Sequence, residues 1–495
     1  MSEPAKALSD LGLTALDGRD AHVTGLSVDS RTVKKGHLFA ALPGTNVHGG
    51  EFIQYALRMG AGAILTDREG AQIADREIAA ADVPVVIAED PREALAFTAA
   101  LWFGAQPETV VAVTGTNGKT SVASFARQIW ALLGLPSANL GTTGVEGAWT
   151  TPLAHTTPEP ITLHRVLAEL AKRDIHHVAM EASSHGLAQK RLDGVFVKAG
   201  AFTNLSQDHL DYHTDFEEYF AAKAGLFGRV MQDEERTAVI NIDDPNGARM
   251  CDIARERALN IITVGRHEQA MMRIRAQRFD GTGQDVRFDW KGGAHQSRLE
   301  LIGGFQAENV LTAAALVIAS GCDAGRTLAT LPELTGVRGR MELAATRENG
   351  STVFVDYAHT PEALRTALKA LRPHVLGRLV VVFGAGGDRD PFKRPMMGEA
   401  ARENADVLIV TDDNPRSEDP AEIRKAIMAA CPDATEVGDR AEAILRGVDA
   451  LQAGDCLLIA GKGHETGQTV GDDVFPFDDV EQASVAVAAL DGRLV

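Results

Sequence analysis

The sequence predicts an α/β protein of about three domains with a parallel sheet at its centre, and three observations predict it. The chain has 495 residues, 45% hydrophobic but only 5% aromatic, which suits layered cores of Ala, Val, Leu and Ile at roughly 150 residues per domain. Short apolar runs repeatedly end in polar clusters and alternate with helix-period segments, the pattern of βαβ units. One of these runs, Val110 to Val113, leads through Thr114-Gly115-Thr116-Asn117-Gly118-Lys119-Thr120-Ser121 into Val122, Phe125, Ala126, Ile129, Leu132 and Leu133 at helical spacing, closed by Gly134. A strand, a glycine-rich turn and a helix start form an anion site, because backbone N–H groups and the helix dipole point at phosphate oxygens. Lys119 supplies a point charge for the outer phosphates, and the Thr120 hydroxyl can join a magnesium shell. Position 113 is valine where the strict pattern wants glycine, so this is a shortened P-loop.

Residues 1–105 read as a small α/β unit. One expected strand runs into Val28-Asp29-Ser30-Arg31, another spans Gly36 to Leu42 and ends at Pro43-Gly44-Thr45-Asn46, and Phe52, Tyr55, Ala56 and Met59 mark a helix. Asp29, Ser30 and Arg31 suit a capped turn. Ala63 to Leu65 and Pro84 to Ile87 complete the strands, and Phe103-Gly104 ahead of Pro107 marks a boundary.

Residues 106–335 hold the glycine loop and further strands with polar ends. Val178 to Met180 runs into Glu181-Ala182-Ser183-Ser184-His185, and Ala199 to Phe202 runs into Thr203-Asn204-Leu205-Ser206-Gln207-Asp208-His209. Ligands of open parallel sheets sit at carboxyl strand ends, so Glu181 and His209 can both reach a magnesium ion at the nucleotide phosphates. Lys223 lies in a helix, Glu217 to Phe227, where the simplest expectation is a solvent-facing lysine. Period-2 stretches from 270 to 303, around Gly281-Thr282-Gly283, predict a small antiparallel appendage.

Residues 336–495 form a second α/β region. Its strands enter Asp356-Tyr357-Ala358-His359-Thr360-Pro361, Gly384 to Asp390, Thr411 to Arg416, and Gly461-Lys462-Gly463-His464-Glu465. Thr360 followed by Pro361 is a helix start, with Thr as N-cap and Pro at N1. Gly384-x-Gly386 starts like a dinucleotide fingerprint, but Arg389 stands where the third glycine belongs, which argues against NAD.

The net charge of −19 argues against a nucleic-acid or anionic-membrane partner. The four cysteines are far apart and form no C-x-x-C pair, so neither a disulfide framework nor a thiolate zinc site is expected. The amino-terminal stretch has no apolar h-region, and no uncharged run of 18 apolar residues follows it, so a soluble cytoplasmic protein is expected. No G-x-S-x-G elbow or H-E-x-x-H helix points to a hydrolase.

Taken together, the loops resemble the Mur ligase family, the ATP-dependent enzymes that build the peptide stem of peptidoglycan. The resemblance rests on TGTNGKTS, ExSSHGL at Glu181, FTNLSQDHLDYH at Phe202, GRME at Gly339, DYAHTP at Asp356, GGDRD at Gly386, DNPR at Asp413 and GKGHE at Gly461, in order along nearly the whole chain. It implies a UDP-substrate-binding domain, a central ATPase and a dinucleotide-fold-like amino-acid domain, with ATP as co-substrate, two magnesium ions and a monomeric state. Ser30 and Thr45-Asn46-Val47 would hold the UDP end, although the 45–47 residues differ in type from the family's usual ones. Thr156, Thr157, Ser183, Gln189 and Arg191 would hold the muramoyl-peptide part. Lys223 matches a carbamylated lysine that surrounds the second magnesium with Glu181 and His209. Asn309, Arg340 and Asp356 match ATP-holding residues, and Gln306 replaces the usual Asn while keeping the amide. The last three motifs look most like those of members that add meso-diaminopimelate to UDP-N-acetylmuramoyl-L-alanyl-D-glutamate. Arg389, Asp413, Asn414, Pro415, Arg416, Gly461 and Glu465 match that amino-acid site. L-lysine-adding members and folylpolyglutamate synthetases share the ATP loops, but the 413–416 loop speaks against both.

Overall fold

The computed structural model describes residues 5–44, 47–206, 212–231 and 235–492. Three large sheets follow one another along the chain. The first has four parallel strands, Gly25–Ser27, His37–Ala40, Ala63–Thr66 and Val85–Ile87, side by side in chain order. Its last helix, Pro91–Phe103, starts with the Asp90 carboxylate accepting from Arg92 N and Glu93 N and stops at Gly104.

The second sheet has ten strands. At its centre Thr109–Thr114 lies between His177–Glu181 and Val197–Phe202, all parallel. A parallel strand is covered on both faces, so its residues are apolar throughout rather than alternating with polar ones. Val110 and Ala112 pack into one core, while Val111 and Val113 pack into the other with the helices Lys119–Leu132 and Phe305–Ala319. The strands Met272–Asp280, Gly283–Trp290 and Gly293–Leu299 are antiparallel to one another, as the alternation predicts. This antiparallel appendage is attached to the central sheet. Met272 and Arg273 pair in parallel with Val264 and Gly265, which continues the main sheet.

The third sheet has six strands in the order Glu342–Thr346, Thr352–Asp356, Cys456–Ala460, Leu379–Phe383, Val407–Val410 and Thr435–Glu436, and only the first is antiparallel. Thr360 accepts from Ala363 N and Pro361 opens the helix Pro361–Leu371, as its sequence predicts.

One expectation fails for a packing reason. Lys223, in the helix Phe216–Gly225, is 1% exposed instead of facing solvent. Phe52, Tyr55 and Met59 are 42%, 48% and 52% exposed, while Ile53 and Ala56 make the buried face of that short helix. The helix Ile53–Arg58 has less than two turns, too short for apolar spacing alone to tell the covered face from the open one. None of the helices among the described residues is long and apolar enough to cross a membrane.

Candidate active site

A cleft of about 770 Å³ opens between the second and third sheets, and the glycine loop forms its floor. Gly115 has φ 146° and a Cβ there would lie 1.9 Å from Thr203 Oγ1, so a side chain is excluded by conformation and by space. The neighbouring strand end fixes the turn: Asn117 N donates to Asn204 Oδ1 at 2.9 Å, and Thr203 Oγ1 donates to Asn117 O at 2.6 Å. No side chain caps the helix that begins at Lys119, which leaves its first amides for an anionic ligand. Lys119 Nζ folds back over the loop and donates to the Gly115 and Thr116 carbonyl oxygens at 2.9 Å each. Gly118, Thr120 and Ser121 also line the cleft.

Beside the loop, the strand His177–Glu181 delivers the Glu181 carboxylate. It is 1% exposed and accepts from Thr142 N at 2.8 Å and from the Thr142 hydroxyl at 3.4 Å. Lys223 arrives from the other side: its Nζ donates to Gly115 O at 2.8 Å and stands 4.4 Å from the Tyr219 ring centre. Thr120 and Glu181 offer the hard oxygen donors that magnesium takes. A lysine ammonium cannot be a ligand, whereas a Lys223 carbamate would add carboxylate oxygens at the same place. His209 lies outside the described residues.

The third sheet supplies the cleft's opposite wall. Arg340 donates to Thr120 Oγ1 at 3.4 Å and lies 4.7 Å from the Tyr357 ring centre. Asp356 ends its strand and accepts from Met341 N at 2.8 Å. Enclosure by the cleft walls pushes its carboxyl above the usual range, against the pull of Arg340. Asn309 is buried, donates to Gln306 Oε1 at 3.1 Å and faces the glycine loop.

Towards the first sheet the cleft continues past Thr156, Thr157, Ser183 and Arg191. The Thr156 and Thr142 hydroxyls are 3.0 Å apart. Thr157 Oγ1 donates to Glu181 O at 2.8 Å and accepts from Ser183 N at 3.0 Å, and Ser183 Oγ caps the next helix through Gly186 N. Arg191 donates to Thr157 O at 2.6 Å and to Gln189 Oε1 at 2.7 Å, both neutral oxygens. Burial and then the nearby Arg92 lower its pKa, so an anion placed here would be welcome. Ser30 and Val47 do not line this cleft; Ser30 sits in a turn that the Asp29 carboxylate caps, and Val47 is exposed. Thr45 and Asn46 lie outside the described residues.

A second cluster lies behind Tyr357, whose ring is 5.1 Å from that of His464. Here Asp413-Asn414-Pro415-Arg416 packs against Gly461 and Glu465. A Cβ on Gly461 would approach Asp413 Oδ2 to 2.4 Å. Arg416 has φ 52°, and its guanidinium donates to Gly387 O at 2.7 Å, with no ion pair among the described residues. Asn414 is spent internally, because Oδ1 accepts from Lys462 Nζ and Thr469 N while Nδ2 donates to Glu465 Oε2. Arg389 is exposed and donates to the Asp388 carbonyl oxygen at 2.9 Å.

Sequence reasoning missed Thr142, which orients Glu181, and the fully buried pair Arg440–Asp479, closed by bonds of 2.8 and 2.7 Å. Arg440 also donates to Ala460 O at 3.0 Å, just before Gly461. Neither stands in a motif. Each is recognisable only through a contact made far along the chain.

The chain matches the Mur ligase family, catalytic domain model over residues 22–102, the Mur ligase middle domain model over 113–317 and the Mur ligase, glutamate ligase domain model over 339–463. It is 49% identical to the UDP-N-acetylmuramoyl-L-alanyl-D-glutamate--2,6-diaminopimelate ligase of Brucella melitensis over 473 residues, 95% of each chain. The enzyme of the same name from Caulobacter vibrioides is 45% identical, covering 98% of this chain and 99% of its own. A solved structure of a UDP-N-acetylmuramoyl-L-alanyl-D-glutamate--2,6-diaminopimelate ligase superposes with a TM-score of 0.72 at 32% identity, over 98% of this chain and 99% of that one. The ADP complex of the MurF ligase from Thermotoga maritima shares the fold, with a TM-score of 0.61 at 19% identity over 95% of this chain and 98% of its own.

Proposed function

The chain belongs to the Mur ligase family, and on that premise we propose that it is an ATP-dependent ligase that joins meso-diaminopimelate to UDP-N-acetylmuramoyl-L-alanyl-D-glutamate in peptidoglycan synthesis. The observation that carries the reading is the pairing of two clusters, a phosphate loop on one sheet and an arginine without an ion-pair partner among the described residues on the next, joined at Arg340 and Tyr357.

The reaction needs a carboxylate to approach a triphosphate. The substrate's terminal carboxylate attacks the γ-phosphorus, ADP leaves, and an amine then displaces phosphate from the acyl phosphate to form the amide. The carboxylate is its own nucleophile, so no serine or cysteine is called for. The protein's task is positioning and charge compensation. Lys119 and the loop amides hold the outer phosphates, and Arg340, within reach of Thr120, adds a charge over the same oxygens. Thr120, Glu181, His209 and carbamylated Lys223 would hold two magnesium ions, which screen the repulsion between carboxylate and phosphate. Asn309 and Asp356 hold the rest of the nucleotide, Arg191 with Thr156, Thr157, Ser183 and Gln189 holds the muramoyl peptide, and Ser30 with residues 45–47 holds the UDP end. Residues 1–105, 106–335 and 336–495 thus serve the UDP substrate, ATP and the amino acid in turn.

Arg416 selects the amine. meso-Diaminopimelate differs from lysine by a distal carboxylate, which an arginine fork can take with two parallel bonds. Asp413 and Glu465 accept from the neighbouring ammonium. The test is phosphate release with ATP and the UDP-dipeptide present while the amine is varied. Turnover with meso-diaminopimelate and little with L-lysine is expected; equal turnover with both defeats the assignment, and release without any amine would mark a plain ATPase.

A further inference from the structure

Lys462 is fully buried. Its ammonium has three protons and finds three acceptors: Asn414 Oδ1 at 2.8 Å, Gly467 O at 2.7 Å and Glu465 Oε2 at 3.4 Å. Asn414 Nδ2 in turn donates to the same Glu465 oxygen at 2.9 Å. One charge therefore orients two residues of the amino-acid cluster and grips the first residue of the hairpin formed by Gly467–Val470 and Asp473–Pro476.

That hairpin is not core, since Val470, Val474 and Phe475 are 43%, 68% and 53% exposed. Its inner strand bonds to the amino-acid loop instead. Thr469 N donates to Asn414 Oδ1 at 2.9 Å, and Gln468 Nε2 donates to Asp413 O at 2.7 Å. Arg416 N donates to Thr469 O at 3.1 Å, and Gly471 N donates to Arg416 O at 2.7 Å. Arg416 is held between these two bonds with φ 52°, a left-handed conformation that a non-glycine residue keeps only when its surroundings impose it.

We propose that Lys462 is a positioning residue for the diamino-acid site: it fixes Asn414 and Glu465 and anchors the hairpin 467–476, which sets the backbone from which Arg416 reaches the distal carboxylate. The proposal rests on the reading of residues 413–416 as the amino-acid site. A lysine that merely filled the core would affect all substrates alike when removed. A positioning lysine affects one.

The experiment measures KM for ATP, for the UDP-dipeptide and for meso-diaminopimelate, with kcat at saturation, in Lys462→Met. KM for meso-diaminopimelate should rise by about thirtyfold, the scale of losing a charged hydrogen bond with its partners left unsatisfied. The other two KM values should stay within about twofold and kcat within about threefold, since the phosphate loop is untouched. An unchanged diaminopimelate KM in the folded variant, or a parallel rise in all three, overturns the proposal. If Lys462→Met does not fold, Gln468→Ala, whose side chain is only half-buried, should raise the same KM by about fivefold, and no rise there overturns it. Arg416→Ala separates the two readings. If it leaves the diaminopimelate KM unchanged, the assignment of the 413–416 site fails; if it raises that KM while Lys462→Met does not, only the role of Lys462 fails.

Discussion

The phosphate loop and the proposed amino-acid loop occupy equivalent places, each following the carboxyl end of a parallel strand, yet they are built from different material. Gly115 to Ser121 presents backbone amides and one lysine, and its conformation follows from glycines that no other residue can replace. Asp413 to Arg416 presents side chains, and its conformation is imposed by residues 48 to 55 positions away, Lys462, Gln468 and Thr469. Anion binding common to a family can live in a local motif. Choice of amine needs side chains at fixed angles, which only distant packing provides.

Four expected outcomes would break or sharpen that contrast. The largest belongs to the phosphate loop: Lys119→Ala should lower product formation by about a thousandfold or more, with an unchanged thermal melt, because the loss is of transition-state charge compensation. Normal turnover in the folded variant would remove the nucleotide from this loop.

Next comes Lys223, which touches the same loop through Gly115 O. Lys223→Ala should lose about a hundredfold or more in kcat and recover partly when formate or acetate is added at high concentration in place of the carbamate. Lys223→Arg should not recover, since its permanent cation fills the space. Acid addition that restores neither or both variants speaks against the carbamate.

For the amino-acid loop the effect is smaller but selective. Arg416→Ala should reduce kcat/KM for meso-diaminopimelate by about a hundredfold and for L-lysine by much less. The ratio of the two constants is the measurement, and a constant ratio places selection elsewhere.

The smallest effect is one of stability. Burial, then repulsion from Arg340, lowers the His464 pKa from 6.5 to about 4. Between those values the unfolded chain binds a proton that the folded one refuses, so stability falls as pH drops from 6.5 towards 4 and levels off below. Partial exposure limits the loss to about 2 kcal/mol. Urea unfolding of wild type and His464→Gln at pH 7.5 and 5 reads it: the variant should lose less stability on acidification, and equal losses would assign the slope to other groups.

The places of several candidate-site residues were legible in the sequence. Glu181 and the glycine loop stand where apolar runs end, and Thr360-Pro361 opens its helix as capping chemistry dictates. The mixed polarity of the helix around Lys223 concealed its burial, because the covering groups, Gly115 and Tyr219, include one 108 residues distant. Asn414 is visible in the sequence only as part of a motif, and the fold adds that its amide bonds to Lys462, Thr469 and Glu465.

The sequence by itself determined many of the strands, the order of their polar ends along the chain and the phosphate loop, since apolar runs, caps and glycines act through neighbours a few residues away. The tertiary structure alone decided that the strands from Met272 to Leu299 extend the main sheet, that Lys223 and Lys462 are buried, and that Arg416 is left without an ion pair among the described residues. Those outcomes depend on which distant groups meet a side chain, and a charge keeps its burial only where such groups satisfy it.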